Sequence, residues 1–232
     1  MVTLVFLPGL DGTGLLFRDF AASFGPEIET IVVSYPVDAP LGYPELESIV
    51  RSHLPQNRPF FLVAESFSGP IGISIAASSP PGLLGLVLCC SFARNPVPVL
   101  APLRPLLGIF PVSSVPTRLL GFFLLGRSSS PAHLGELANC LGLVKPSVLR
   151  ARARAVLTVD VSASLPRIRV PLLYMRASED RVVSRSCSEQ IASVVPHTQI
   201  AEITAPHFLL QTLPSLAASR VASFVETVIH QR

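Results

Sequence analysis

The stretch Phe60-Phe61-Leu62-Val63-Ala64-Glu65-Ser66-Phe67-Ser68-Gly69-Pro70-Ile71-Gly72 decides the fold of this chain. Its first four residues are all apolar, which is typical of a short strand buried on both faces of a parallel sheet. Ser66 follows that strand, and the apolar residues after Gly69 can continue as a helix. A serine between a buried strand and a helix is the setting of a nucleophile elbow, where a sharp turn exposes the hydroxyl above the sheet edge. The pattern gives no role to Glu65, its neighbour.

Other apolar runs along the chain alternate with helical patterns, in the manner of a parallel α/β sheet. We expect helices over residues 15–24, 43–53, 71–77, 184–194 and 213–229, where apolar residues recur at helical spacing. The predicted strands cover residues 2–7, 28–33, 60–63, 83–90, 172–176 and 199–203. The sequence therefore predicts an α/β fold with a parallel sheet of about six strands flanked by helices.

Between the fourth and fifth strands the alternation stops, which is typical of an inserted helical cap. Residues 95–166 contain proline-rich apolar turns and two helical patterns near 131–142 and 146–158. We therefore predict a core of residues 1–94 and 167–232 with a small cap at 95–166. Such a cap covers a site with apolar side chains, and we expect Phe122, Phe123 and Leu124 to line the substrate pocket. The same residues can instead pack the cap onto the core.

The composition favours a globular protein with a large apolar core. Of the 232 residues, 49% are hydrophobic and only 14% are charged, which excludes a disordered chain. The net charge of +3 is mild and the arginines are scattered, so a nucleic-acid interface is not indicated. The exception is the triplet Arg150, Arg152 and Arg154, which is most simply a solvated helix face.

The cysteines and the apolar segments indicate a cytoplasmic protein without a membrane span. Cys89, Cys90, Cys140 and Cys187 show no metal-ligand spacing, and buried thiols are typical of a reducing compartment. The N-terminus lacks the basic region of a signal peptide. The longest apolar region, residues 97–125, contains five prolines, whereas a membrane helix needs about 20 mostly uninterrupted apolar residues. The oligomeric state stays open.

A seryl nucleophile needs a histidine base and an acid that orients it. In a parallel sheet the carboxyl ends of all strands meet at one edge, so these partners should follow strands. Among the five histidines, only His207 directly follows a predicted strand of the sheet. Asp180 follows the strand at 172–176, with Glu179 as the adjacent competitor. The order Ser66, Asp180, His207 is that of one particular fold.

The transition state also needs donors for its oxyanion, which we expect to be backbone N–H groups. One candidate is the N–H of Phe67, directly after the nucleophile, and the other is the N–H of Leu10 in the loop after the first strand. The glycines of that loop permit tight turns, but it has neither the spacing of a dinucleotide loop nor the lysine of a P-loop.

Taken together, the loops that carry these candidate residues resemble the corresponding segments of the α/β-hydrolase superfamily. The resemblance extends over essentially the whole chain. Pro8 replaces a common histidine of the family's oxyanion segment, and the glycines that usually precede the acid and the base are missing. Two strands that the family often has before the first are absent, which implies a trimmed sheet. Four segments carry the resemblance in the family's order: 7–14, 64–69, 176–183 and 205–208.

The resemblance implies a serine carboxylesterase that acts on small to medium, largely apolar esters without a metal or organic cofactor. Residues 148–180 are also similar to the pimeloyl-acyl-carrier-protein methyl ester esterases of biotin synthesis. In that case Arg150, Arg152 and Arg154 would contact an acyl carrier protein. Acyltransferase and thioesterase activities use the same triad, and a catalytically inactive binding member of the fold is the alternative that is not an enzyme.

Overall fold

Six parallel strands form the single sheet of the described structure. The computed structural model describes residues 2–56, 58–99, 102 and 115–231. The strand order is β2-β1-β3-β4-β5-β6, so the chain runs from β1 outward to β2 on one side and from β3 outward to β6 on the other. The strands are β1 Val2–Leu7, β2 Ile28–Val32, β3 Phe60–Glu65, β4 Leu83–Cys89, β5 Leu172–Ala177 and β6 Thr198–Ile203. The predicted fold class and the predicted six-stranded parallel sheet are confirmed.

Helices cover both faces of this sheet. Strand residues alternate between the two faces, so Val5 and Leu7 of β1 join one apolar cluster while Leu4 and Phe6 join the other. The helices are α1 Arg18–Ala22, α2 Tyr43–His53, α3 Gly69–Ala77, α4 Thr117–Leu124, α5 Pro131–Leu143, α6 Pro146–Val156, α7 Arg185–Val194, α8 Leu209–Thr212 and α9 Pro214–His230. The α2, α3 and α7 side chains pack on the first face, and those of α1 and α9 on the second.

Two predicted helices differ from the structure at their ends. The helix expected over 15–24 is a 3-10 turn, Leu15–Phe17, followed by the short helix α1. The closing helix expected over 213–229 is preceded by the separate helix α8. Pro214 opens α9, and because proline has no N–H it cannot continue the hydrogen-bond pattern of α8.

The segment between β4 and β5 leaves the sheet and returns beside its own starting point. Arg94 and Asp160 form an antiparallel bridge, and the Asn95 N–H donates to Val159 O at 2.9 Å. Helices α4, α5 and α6 lie within this segment. Helices α5 and α6 agree with the two helical patterns of the sequence, whereas α4 is not predicted. The boundaries 95–166 of a cap stay a prediction. Residues 100, 101 and 103–114, most of the proline-rich stretch, lie outside the described residues.

The described helices include none with both the length and the apolar character that crossing a bilayer requires. The longest, α9, presents one apolar face to the sheet, including Val221, Phe224 and Val228, and leaves Glu226 exposed. It is therefore an amphipathic surface helix of a globular fold.

Helix α3 lies unusually close to the sheet because two glycines face it. A Cβ built on Gly69 would lie 1.7 Å from Ser91 Oγ, and one built on Gly72 would lie 3.0 Å from the Ala64 Cβ. Since no side chain fits at Gly69 without displacing its neighbour, glycine there sets the distance between α3 and the end of β4. The Ser91 hydroxyl in turn donates to Ser66 O at 2.5 Å, so this contact also holds the turn after β3.

The substitution Gly69→Ala is expected to lower the free energy of unfolding by about 1–3 kcal/mol, the usual cost of overpacking a tight interior. Urea unfolding measures this loss. The matched control is Gly135→Ala on α5, where an added Cβ meets nothing within 4 Å. That variant should be neutral or gain up to about 1 kcal/mol from helix propensity. Equal stability of the two variants would contradict the packing argument.

Candidate active site

Ser66 stands on a strained turn between β3 and α3. Its φ of 46° lies in the left-handed region, which a residue with a side chain rarely adopts. The one-turn 3-10 helix Ser66–Ser68 leads into α3, so the serine is held between strand and helix as the sequence predicts. Such strain persists only where the surrounding structure fixes it, and it is common at functional sites.

His207 and Asp180 complete a continuous chain of hydrogen bonds with Ser66. His207 Nε2 lies 2.9 Å from Ser66 Oγ, and His207 Nδ1 lies 2.8 Å from Asp180 Oδ2. The His207 side chain is 4% exposed, so water competes little for either contact. With the Nδ1 proton donated to the carboxylate, Nε2 holds the lone pair that can accept the Ser66 proton. The structure thus brings together the three residues that the sequence pairs.

The loops after β5 and β6 explain why the acid meets the base. The Ser178 N–H donates to Ile203 O and the Glu179 N–H to Ala205 O, so the two loops run side by side. The second carboxylate oxygen of Asp180 accepts the N–H groups of Val182 and Val183 at 2.7 and 2.8 Å. These bonds hold the carboxylate in a fixed orientation toward His207.

The other candidates for the acid and the base do not take part in this chain of hydrogen bonds. Glu179 is exposed and does not contact His207, although it precedes Asp180 directly. His53 bonds the carbonyl of Ile49 in its own helix. His197, which precedes the last strand, bonds Val170 O. His133 lies on α5, against Ser128 O. The terminal His230 bonds the carbonyl of the preceding helical turn.

The two predicted oxyanion donors lie in different parts of the chain: Phe67 directly follows the serine in its 3-10 turn, and Leu10 lies in the loop after β1. Among the described residues no acceptor is found for the N–H of Leu10 or for the N–H of Phe67. Residues 8–12, the glycine loop, follow β1 at the same sheet edge, and the Gly12 N–H donates to Gly9 O at 3.1 Å. Both N–H groups are therefore available to a ligand, and their role as oxyanion donors stays a prediction.

Three polar side chains that sequence reasoning missed hold the turn in place. The Ser68 hydroxyl, fully buried, donates to Pro8 O at 2.5 Å and lies 2.7 Å from the Tyr35 hydroxyl. The Tyr43 hydroxyl donates to Phe67 O at 3.0 Å, and its ring stacks on that of Phe67 at 4.8 Å. The sequence could have indicated these contacts only through its two tyrosines after β2, because each tyrosine contacts a residue far along the chain.

Glu65, which the sequence leaves unexplained, is a buried acid next to the nucleophile. Burial raises the pKa of its carboxyl to about 7, and the nearby Asp11 carboxylate adds to the rise. The Gln211 amide donates to Glu65 Oε1 at 2.9 Å, while the side-chain oxygen of Gln211 has no partner among the described residues. Since Gln211 lies one turn after His207, this bond joins the strand that carries the nucleophile to the segment that carries the base.

The three residues predicted to line a pocket lie at the end of α4. Phe122 and Phe123 are exposed, and Leu124 is half-buried. The Arg181 guanidinium lies 4.3 Å from the Phe122 ring centroid and donates to Phe122 O, so α4 rests on the loop of Asp180. The Leu124 carbonyl accepts the N–H of Phe208, next to the base. The pocket itself stays a prediction.

Two surface cavities lie near these elements. One of about 360 Å³ borders the loop that carries Asp180. A larger one of about 640 Å³ lies between the loop before α2 and the outer face of α6, away from Ser66. The smaller is lined by Arg127, Ser178, Glu179, Asp180 and Arg181, and the larger by Pro40, Leu41, Gly42, Ala151, Arg154, Ala155 and Thr158.

The prediction that three arginines of α6 share a solvated face is wrong for one of them. Arg154 is exposed and Arg150 is half-buried, but Arg152 is only 1% exposed. Its guanidinium bonds backbone carbonyls of the glycine loop, so it is not accessible to a carrier protein. The helical period explains the split, since residues two apart lie on different faces of a helix.

The cysteines in the structure are buried free thiols. Cys90 lies under the site, and its sulfur is within 4.8 Å of donor atoms of Asp180 and His207, a group that has the chemistry of a metal site. Asp180 and His207 already bond each other, so their nearest atoms are engaged. A cytoplasmic location stays a prediction.

The fold and this arrangement define an α/β-hydrolase. The model of the family Hydrolase_4, described as serine aminopeptidase, S33, matches residues 45–209, more than half of the chain. The chain belongs to this family. The predictions of an α/β-hydrolase and of a hydrolytic enzyme are thereby confirmed.

Individual proteins are similar to this chain in sequence or in fold. The chain is 32% identical over 145 residues to phytyl ester synthase 1, chloroplastic, of Arabidopsis thaliana, a match that covers 57% of this chain and 20% of that protein. The chain spans only 12–28% of the length of the curated relatives it matches. Among solved structures, it resembles an enol-lactonase of Burkholderia xenovorans LB400, with a TM-score of 0.84, 14% identity and 97% and 91% of the two chains covered. It also resembles the esterase EaEST of Exiguobacterium antarcticum, with a TM-score of 0.82, 16% identity and 97% and 92% of the two chains covered.

Because Glu65 is buried, Glu65→Gln should change how stability depends on pH. The unfolded carboxyl ionises near pH 4.5 and the folded one near 7, so ionisation increasingly penalises the wild-type fold from pH 4.5 to above 7. At 1.36 kcal/mol per pKa unit the full penalty is about 3 kcal/mol. The glutamine keeps a partner for Gln211 and cannot ionise.

Urea unfolding at pH 5 and pH 8 measures this effect. Relative to wild type, Glu65→Gln should gain stability at the higher pH, whereas Glu226→Gln on the exposed face of α9 should show no such difference. A constant difference between Glu65→Gln and wild type at both pH values would show that the carboxyl ionises alike in the folded and unfolded chain.

Proposed function

We propose that this protein is a serine carboxylesterase that hydrolyses small to medium, largely apolar carboxylic esters through an acyl-enzyme. The observation that carries the proposal is the hydrogen-bonded chain from Ser66 Oγ through His207 to Asp180. This chain supplies the nucleophile, the base and the orienting acid that acyl transfer requires. The family match supports a hydrolase of this kind.

In the first half of the reaction the Ser66 hydroxyl attacks the ester carbonyl while His207 Nε2 takes its proton. The negative charge that develops on the carbonyl oxygen is stabilised by the N–H groups of Leu10 and Phe67, which have no other acceptor among the described residues. Asp180 stays ionised and stabilises the imidazolium. His207 then gives its proton to the leaving alcohol, and the acyl group remains on Ser66.

In the second half a water molecule takes the place of the alcohol. His207 removes its proton as it attacks the acyl-enzyme, the same N–H groups hold the oxyanion, and the proton returns to Ser66 as the acid leaves. We expect apolar side chains of α4, including Phe122, Phe123 and Leu124, to contact the acyl or alcohol group. Their position on the loop of Asp180 supports this.

The substitution Ser66→Ala should lower kcat for a p-nitrophenyl butyrate roughly 10⁴–10⁶-fold, because the nucleophile of the acyl-enzyme is lost. Release of p-nitrophenolate measures the rate, and thermal unfolding checks that the variant folds. Ser178→Ala, an exposed serine in the Asp180 loop, is the matched control and should keep most of the activity. Turnover retained in Ser66→Ala would refute the assignment, as would the absence of a fluorophosphonate adduct on Ser66 of the wild-type protein.

Acyl transfer to an alcohol is the second candidate, favoured by the 32% identity to a phytyl ester synthase. An alcohol that enters the second half in place of water would yield a new ester. With p-nitrophenyl ester and added long-chain alcohol, we expect free acid to match p-nitrophenolate one to one, as hydrolysis requires. Mass spectrometry of the products decides: a new ester in excess of free acid would assign the protein as an acyltransferase.

A carrier-bound substrate stays a narrower alternative within this proposal. Arg154 is exposed and Arg150 is half-buried, so these two remain as contacts for an acidic carrier protein. The buried Arg152 does not belong to such a surface. Thioesterase activity uses the same residues and differs only in its leaving group.

A further inference from the structure

Arg152 is the one arginine of α6 whose side chain points into the protein. It is 1% exposed, although a guanidinium is costly to bury unless its donors are satisfied. The guanidinium bonds three backbone carbonyls: Nη1 donates to Leu10 O at 2.9 Å and to Asp11 O at 2.6 Å, and Nη2 donates to Pro36 O at 3.0 Å. The residue thus joins α6 to the glycine loop after β1 and to the loop after β2.

These bonds complete a set that uses every carbonyl of the glycine loop. Pro8 O accepts the Ser68 hydroxyl, Gly9 O accepts the Gly12 N–H, and Gly12 O accepts the Tyr35 N–H at 2.7 Å. Arg152 supplies the donors for the remaining two carbonyls. The C=O and N–H of one trans peptide point in opposite directions, so the Asp11 carbonyl held by Arg152 sets the direction of the Gly12 N–H. That N–H donates to Gly9 O, and the Gly9 carbonyl shares its peptide with the Leu10 N–H, which is thereby oriented as well.

The loop is shaped to receive the guanidinium. Gly12 has a φ of 70°, and a Cβ built on it would lie 2.3 Å from Arg152 Nη1. The side chain therefore fills the space that a larger residue would need. On its other side the guanidinium carbon lies 5.6 Å from the centroid of the Tyr35 ring, whose hydroxyl contacts Ser68 beside the nucleophile.

We propose that Arg152 is a positioning residue that holds the glycine loop so that the Leu10 N–H can bind the oxyanion, which couples α6 to the reaction. This inference rests on the proposed function. The planar fork of the guanidinium places Nη1 on the glycine loop and Nη2 on Pro36 O. A lysine ammonium has a single nitrogen and cannot reproduce that geometry. The guanidinium also bonds the carbonyl of Leu10 itself, so its positive charge lies close to the oxyanion donor, where it favours developing negative charge.

The test uses p-nitrophenyl butyrate, a free ester that involves no carrier protein. It compares Arg152→Lys and Arg152→Ala with Arg154→Ala, an exposed arginine of the same helix. Loss of one oxyanion donor usually lowers kcat about 10²–10³-fold. We expect both Arg152 variants to lose about that factor in kcat with KM changed less than about threefold, since the ester ground state needs the donor little. Binding of a trifluoromethyl ketone, whose tetrahedral adduct carries an oxyanion, should weaken by a similar factor.

Two further measurements separate positioning from general destabilisation. Methylguanidinium added to Arg152→Ala should restore part of kcat and should leave Arg154→Ala unchanged. Hydrogen exchange of peptides that cover residues 8–12 should speed up in Arg152→Ala and not in Arg154→Ala. Thermal unfolding establishes that each variant is folded under assay conditions.

Wild-type kcat in Arg152→Lys, a kcat loss that Arg154→Ala shares, or unchanged exchange over residues 8–12 would each overturn the inference. Failure of the proposed function gives a different result. In that case the wild-type protein hydrolyses no ester and forms no fluorophosphonate adduct, while hydrogen exchange still reports whether Arg152 holds the loop.

Discussion

In a parallel sheet every strand delivers its carboxyl end to the same edge, and the candidate site of this protein depends on that constraint. The glycine loop follows β1, Ser66 follows β3, Asp180 follows β5 and His207 follows β6. Residues up to 141 positions apart in the chain thereby come within hydrogen-bond distance. The sheet supplies this proximity, and the loops need only aim each side chain.

The side chains of the site are oriented by buried polar groups that the helix and strand patterns of the sequence do not reveal. Ser68 ties the turn of the nucleophile to Pro8, and Ser91 ties it to the end of β4. A buried polar group without a partner is costly, so networks of this kind specify one arrangement when all members are satisfied. The strained φ of Ser66 is held by these contacts together with the close packing of α3 on glycine.

The sequence predicts the sheet well because buried parallel strands are short apolar runs, and their ends locate Ser66, Asp180 and His207. It fails where the decisive contact joins distant segments. The three charges of α6 suggest a solvated face, and only the tertiary structure reveals the buried carbonyls that Arg152 bonds. The environments of Tyr35 and Glu65 are hidden for the same reason, since burial and partners come from elements far along the chain.

Most of the segment between β4 and β5 is closed off by the bridge of Arg94 and Asp160. Because its ends already meet, a change in its length adds little to the entropy of closing it, which grows only with the logarithm of loop length. Evolution can therefore lengthen or rebuild α4 and α5 without disturbing the sheet. Helix α6 is different, since its buried arginine binds the loop after β1. The segment thus divides into α4 and α5, whose length the bridge leaves free to vary, and α6, whose position is tied to the loop after β1.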